Sequence, residues 1–168
     1  PYTGWLILYD IYKRTRTTGA DAPEFALNRI VSTRMGRELY LMDDNDDRCY
    51  IYDIDSNIWS DGPSWPNNDM NVVLPLVSVD NNLYCFAYAN NRTPLVVWDA
   101  ESSIWLEKTV MPQKQYGIIP VATDGKIYCF GCSNNTVTSK ALFIYDTETD
   151  TWRQGADMPW FLYTSEAA

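Results

Sequence analysis

Histidine is absent from all 168 residues. Its absence removes the commonest zinc and copper ligand, the usual general base, and every Ser–His or Cys–His nucleophile pair. An enzyme made from this chain would have to work with carboxylates alone, so no catalytic residue, metal or cofactor is expected. Cysteine is scarce, and Cys49, Cys85, Cys129 and Cys132 are too irregularly placed to staple a small domain. Reduced thiols, and with them a cytoplasmic setting, are the expectation. No secretory signal stands in the stretch, although it starts without Met and part-way through a repeat, which is compatible with a targeting segment upstream. Positive charge is in short supply: 13 Lys and Arg against 22 Asp and Glu leave a net charge of -9. A phosphate backbone or an anionic membrane would be repelled by most of such a surface. No apolar run approaches the roughly 18 residues needed to cross a bilayer, so neither nucleic acid nor membrane is expected as a partner.

Helix-period patterning is missing too, and what fills the sequence instead is aromatic and short-range. Seven Trp, twelve Tyr and five Phe stand in brief apolar runs punctuated by nine Pro and eight Gly, a pattern of all-β chains. The length suits one domain with a sizeable core.

A unit recurs along the chain. LFIYDTETDTWRQGADMP at 142–159 reappears as LVVWDAESSIWLEKTVMP at 95–112 and CYIYDIDSNIWSDGPSWP at 49–66. Each copy has an aromatic-Asp pair, a polar turn, a Trp, and a Pro seven residues later. ILYDIYKRTRTTGADAP at 7–23 keeps Tyr9-Asp10 and Pro23 but has Arg16 in place of Trp. Position 16, Trp59, Trp105 and Trp152 are spaced by 43, 46 and 47 residues, and Tyr40, Tyr84 and Tyr128 by 44. Periods of this size mark stacked or radial repeats. A guanidinium cannot replace a buried indole without a partner, so the first copy is expected to be degenerate or exposed at an edge.

Residues 1–23 read as the back half of a repeat, and three complete repeats follow at 24–66, 67–112 and 113–159. Each has four short strands. In the second, Val72–Leu74 and Leu76–Val79 read as separate pieces ahead of Leu83–Phe86, Leu95–Trp98 and Ile104–Leu106. Asp124-Gly125 is a hairpin signal, and the Asp-Ser-Asn and Asp-Thr-Glu-Thr stretches before each Trp are turn formers that bond their own backbone. Residues 160–168 open a further unit or add a closing strand. A plain sandwich would not explain the recurring Tyr and Trp, whereas four-stranded blades arrayed radially would.

Asp-Gly-Lys-Ile-Tyr-Cys-Phe-Gly at 124–131, followed by Ile-Tyr-Asp-Thr-Glu-Thr-Asp-Thr-Trp and Met-Pro, resembles a kelch repeat. The resemblance is strongest over 113–159, moderate over 24–112 and weak over 1–23. It implies an all-β fold of kelch-type β-propeller blades, three full and one partial. Where kelch units usually carry two adjacent glycines, this chain has Asp43-Asp44, Ala87-Tyr88 and Gly131-Cys132, so its blades are divergent. Three blades and a half fit a piece of a longer chain, a half-ring completed by a second copy, or a small ring closed by Trp160–Ser165 beside residues 5–16.

The resemblance further implies a module that recognises another protein, as substrate-holding part of a cullin-RING ubiquitin ligase adaptor of BTB or F-box type. Its alternatives are an actin or cytoskeletal scaffold and, in another class, a sugar-handling enzyme without copper. The second-to-third strand connections (43–48, 87–94, 131–140) and the exits to the next blade (61–71, 107–117, 154–160) emerge on one face. Both sets read as the most variable in length and composition, as expected of partner-binding loops. The candidate anchors are Asp43, Asp44, Asp46, Asp47, Trp65, Arg92, Lys114, Gln115, Tyr116 and Trp160.

Several motifs have plainer readings. The Asp43–Asp47 run offers oxygen ligands for calcium but lacks the spacing of a binding loop and reads as a solvated acidic loop. Cys129-Phe130-Gly131-Cys132 has redox or zinc spacing, yet Cys85 fills the same slot as Cys129, which points to core packing. Glu101, Asp146, Glu148 and Asp150 lie in repeated turns, where turn chemistry accounts for them. Asn91-Arg92-Thr93 and Asn134-Asn135-Thr136 read as chance sequons.

Overall fold

The computed structural model describes residues 6–23, 30–43, 48–64, 73–87, 92–113, 117–130 and 139–159, without the side chains of 43, 73 and 74. They form fourteen strands. Ile7–Asp10 (β1) and Thr15–Thr18 (β2) make a two-stranded sheet. Three four-stranded antiparallel sheets follow in chain order: Ile30–Met35, Glu38–Asp43, Cys49–Asp53 and Ile58–Asp61 (β3–β6); Val73–Val79, Asn82–Ala87, Leu95–Asp99 and Ile104–Glu107 (β7–β10); Ile119–Thr123, Lys126–Phe130, Phe143–Asp146 and Thr151–Gln154 (β11–β14). In each sheet the strands pair strictly with their chain neighbours. The expected all-β architecture of four-stranded blades is therefore the one observed.

Turn chemistry sets the register. The first hairpin of each four-stranded sheet has a two-residue loop, with both residues left-handed at Asp80 (φ 46°) and Asn81 (φ 62°), and at Asp124 (φ 50°) and Gly125 (φ 67°). Such loops match the right-handed twist of the flanking strands. The last hairpin has a four-residue loop opened by an Asp. Asp10 accepts the N–H groups of Tyr12 and Lys13 at 2.9 and 2.8 Å. Asp53 accepts those of Asp55 and Ser56, Asp99 that of Glu101, and Asp146 those of Glu148 and Thr149. The loop closes on a left-handed residue, which is Arg14, Asn57, Ser103 and Asp150 in turn (φ 52–57°).

One reading of the strands is corrected. Val73–Val79 is a single strand whose register shifts between Val73 and Leu76. Pro75 has no N–H to give the ladder, so the irregularity falls where a proline can be tolerated.

Sheets pack face to face through their alternating side chains. Tyr84, Phe86, Leu95, Val97, Val77 and Val79 of the second sheet meet Ile127, Cys129, Phe143 and Tyr145 of the third, with Trp152 partly buried against them. The opposite face of the second sheet, with Leu76, Leu83, Cys85, Ala87 and Val96, meets Tyr40, Met42 and Cys49 of the first. Innermost strands touch as well, β3 against β7 and β7 against β11, which is the radial arrangement of blades around an axis. Cys49, Cys85 and Cys129 are buried, and burial pushes the Cys49 thiol up to about 12, leaving it protonated and unreactive. Cys132 lies outside the described residues.

A polar clasp repeats at each junction. The Trp of β6, β10 and β14 lies across the strand from Tyr52, Trp98 and Tyr145, with ring centroids 5.0, 5.6 and 5.0 Å apart. Each indole N–H donates to a carbonyl in the segment leaving the previous sheet: Trp59 to Ala20 (3.2 Å), Trp105 to Ser64 (2.9 Å), Trp152 to Thr109 (2.6 Å). At two junctions the left-handed residue adds a second bond. Asn57 Oδ1 accepts the Ala20 N–H at 2.7 Å and the Tyr52 hydroxyl at 2.9 Å. Asp150 Oδ1 accepts the Thr109 N–H at 2.9 Å and the Tyr145 hydroxyl at 2.8 Å. At the middle junction the equivalent residue leaving the sheet is Pro63, which has no N–H, and the left-handed residue opposite is Ser103.

The first, partial unit lacks this protection. Arg16 pairs across the strand with Tyr9, in the Trp–Tyr position, and both are exposed. That is the edge the missing indole predicts.

Candidate functional site

Loop lengths separate the two ends of the sheets. The first hairpins all have two-residue loops and the last hairpins all have four-residue loops. Links from one sheet to the next are equal in length as well, occupying 19–29, 62–72 and 108–118. This corrects the expectation that the exits vary in length. Their constancy follows from the clasp, because the segment must place one carbonyl against the next indole and still reach the next inner strand. Variation is confined to the second-to-third strand connection, which is shortest at 44–48, longer at 88–94 and longest at 131–142.

Among the candidate anchors, Arg92 is described in full. It lies in the second of these connections, and its guanidinium forms a two-pronged ion pair with Glu107 at the end of β10. Both side chains are about half exposed. The pair joins the 2–3 connection to the exit strand, which places both on the same rim of the blade. Pro94 O accepts the Ala87 N–H at 3.0 Å, closing the base of this connection, and Thr93 is fully buried beneath it. Asn91-Arg92-Thr93 thus has its hydroxyl residue inside the protein. Asp43 ends β4. Asp44, Asp46, Asp47, Trp65, Lys114, Gln115, Tyr116 and Trp160 lie outside the described residues, as do Tyr88, Gly131 and Asn134–Thr136.

Of the carboxylates singled out in the turns, Asp146 and Asp150 make structural contacts, while Glu101 and Glu148 take part through their backbone N–H groups. Lys126 donates to Asp146 at 2.8 Å and, with the Thr149 N–H, holds that carboxyl down at about 2. Hydrogen bonds from Ser56 and Asp55 lower Asp53, and those from Ser102 and Glu101 lower Asp99. Burial pushes Asp150 up, but the Thr109 N–H and the Tyr145 hydroxyl outweigh it and leave the group lowered. These carboxylates are ionised acceptors at neutral pH, none poised near 7 as a general acid or base requires. Among the described residues, no three Cys, Asp or Glu side chains converge as metal ligands. Open hollows lie beside the first hairpin, one lined by Leu6, Thr18, Gly19 and Asp21, another by Ile7, Arg16, Thr17 and Thr18. Among the described residues, neither brings two carboxylates together.

Sequence reasoning overlooked the clasp. Its signal was present in the alignment of exit segments, where the position held by Ala20, Pro63, Thr109 and Ala156 varies together with Asn57, Ser103 and Asp150 in the following turn.

Comparison with known proteins bears on the fold. A family model for the kelch motif matches residues 120–159. A solved structure described as "Structure of YjhT" superposes with a TM-score of 0.67 at 14% identity, over 82% of this chain and 54% of that one. This chain thus spans about half the length of that protein, and at such identity the likeness is one of fold. No match is found among the curated proteins. Residues 120–159 match the kelch motif, and the four-stranded sheets before them have the fold of β-propeller blades.

Proposed function

We propose that this propeller segment binds another protein through the rim formed by the second-to-third strand connections and the exits beside them. The observation that supports this most directly is where the sequence is free to vary. Hairpin loops and inter-blade links keep their lengths from blade to blade, while the second-to-third connection lengthens with each successive one. Scaffold constraints explain the constancy, and recognition loops on a rigid repeat scaffold explain the exception. Arg92 and Glu107, fixed to each other at the base of that rim, would present a preorganised charge pair to a partner. The finer form of this reading is a substrate-recognition part of a ubiquitin ligase adaptor in the cytoplasm. It rests on the kelch resemblance alone.

Affinity capture from cell extract distinguishes the rim from the opposite face. A chain carrying Trp65→Ala, Arg92→Ala, Lys114→Ala and Tyr116→Ala is expected to lose a subset of the proteins captured by the parent. Glu101→Ala with Glu148→Ala, in the four-residue turns at the other end, is expected to keep them. Identical capture by all three chains would dismiss the rim as the recognition surface.

A further inference from the structure

Asp-Gly occurs twice in the chain, at Asp61-Gly62 and Asp124-Gly125. Closing such a pair into a cyclic imide asks two things of it. The second residue must have no side chain to crowd the attacking nitrogen, and the peptide plane must be free to turn until that nitrogen faces the Asp Cγ. Asp61-Gly62 meets the first condition and fails the second. Gly62 N–H is bonded to Cys49 O at 2.8 Å, and a Cβ placed on Gly62 would lie 2.7 Å from Cys49 Sγ, so the peptide is held where its strand ends. Asp80-Asn81 occupies the same two-residue loop as Asp124-Gly125, with φ 46° and 62° against 50° and 67°. Asn81 carries a side chain, however, and the Asn82 side-chain amide donates to Asp80 O at 3.1 Å. Asp124-Gly125 meets both conditions. Asp124 is exposed, and among the described residues neither Gly125 N–H nor Asp124 O is hydrogen-bonded, since the central peptide of such a loop lies outside the ladder.

We propose that Asp124-Gly125 is a site of isoaspartate formation and, once converted, a methyl acceptor. Gly125 N attacks Asp124 Cγ, the new C–N bond closes a five-membered imide, and the carboxyl oxygen leaves as water. Water then opens the imide at one of its two carbonyls. Opening at the former side-chain carbonyl restores aspartate. Opening at the main-chain carbonyl leaves the chain running through Cβ, with a new α-carboxylate at the loop tip; no oxidant or reductant is consumed. A carboxyl methyltransferase that uses S-adenosylmethionine would esterify that carboxylate, the methyl passing to oxygen and S-adenosylhomocysteine leaving. The change reaches beyond the loop. Thr147 donates both its N–H (3.1 Å) and its hydroxyl (2.7 Å) to Gly125 O. Those bonds tie the last turn of the sheet to this hairpin, and that turn carries Asp150 and its grip on Thr109. An added main-chain carbon displaces the carbonyl on which they converge.

The test holds the 168-residue chain folded at neutral pH in heavy-oxygen water and digests it at intervals, with fragmentation that tells isoaspartate from aspartate. Isoaspartate carrying one heavy oxygen is expected to accumulate at Asp124 while Asp61 and Asp80 stay unchanged. In urea, where Gly62 loses its bond to Cys49, Asp61 and Asp124 are expected to react alike. Gly125→Asn is expected to hold Asp124 at the level of Asp80, and Asn81 shows that asparagine adopts this left-handed position, so the variant keeps its turn. Amide exchange at Thr147 is expected to quicken in the aged fraction. A carboxyl methyltransferase with labelled S-adenosylmethionine is expected to mark the aged chain and not the fresh one. The proposal is overturned if Asp61 and Asp124 react at one rate in the folded chain, if Gly125→Asn reacts as fast as the parent, or if Asp124 reacts only in urea, which would mean that the turn itself holds the peptide.

Discussion

Phe86→Ala is expected to lower the stability of the chain by about 3–5 kcal/mol, the usual cost of emptying a large aromatic site in a closed core. Phe86 is 0% exposed, pairs across the strand with Leu95, and points at Trp152 with ring centroids 6.5 Å apart. Its ring fills the space between the second and third sheets, so its loss is felt by both. A whole domain is stable by about 5–15 kcal/mol, so this one change approaches the threshold of unfolding. Urea denaturation of the variant and parent gives the difference. Val121→Ala is the control, since a half-exposed residue outside the closed core should change stability by no more than about 0.5 kcal/mol. A Phe86 variant within about 1 kcal/mol of the parent, the size of an ordinary point-mutation effect, would mean that the sheets are not held together by this packing.

Asp150→Ala is expected to cost about 1–2 kcal/mol, because it strands the Tyr145 hydroxyl, whereas the Thr109 N–H sits on an exposed residue where water can replace the carboxylate. The Tyr145 hydroxyl belongs to a fully buried residue, and the Thr109 N–H is held in place by the adjacent Trp152–Thr109 bond. Asp150→Asn should be far milder, because Asn57 already fills the same role at an earlier junction. The parent and Asp150→Asn also separate in acid. A carboxyl whose folded value is lowered stabilises the fold above the ordinary carboxylate range, and that stabilisation is lost as pH falls through the folded value. The parent should therefore lose more stability between neutral and acid conditions than Asp150→Asn does. Equal acid sensitivity of the two chains, by thermal melts across pH, would remove Asp150 as a contributor.

Much of this fold can be read from residues whose roles are local. The Asp that opens each four-residue turn bonds N–H groups two and three positions on, and a Trp seven residues before a Pro fixes the end of each unit. Short-range chemistry of this kind survives in any copy, even in residues 7–23, where Asp10 makes the same turn without an indole to follow. What escaped is set by contacts between units. Nothing near Pro63 announces that it faces Ser103, which belongs to the following repeat; the relation appears when both are placed at the same junction. Constant exit lengths escaped for the same reason, since sequence composition varies where spacing does not. Pro75 looked like a break between two strands because the bulge that absorbs it depends on the partner strand. Among the described candidate anchors, Arg92 has a defined side-chain contact, the ion pair with Glu107, which depends on a strand fifteen residues on.

The clasp at the middle junction lacks the N–H to amide or carboxylate bond of its neighbours, since Pro63 has no hydrogen to offer and Ser103 no long acceptor to receive it, and the Ser78 hydroxyl donating to Arg34 O ties these two blades instead through their inner strands. In a stack where every unit leans only on the next, strength is set joint by joint. Stretched from its two ends, the molecule should lose the exit-segment clasp of the middle seam before the clasps on either side of it.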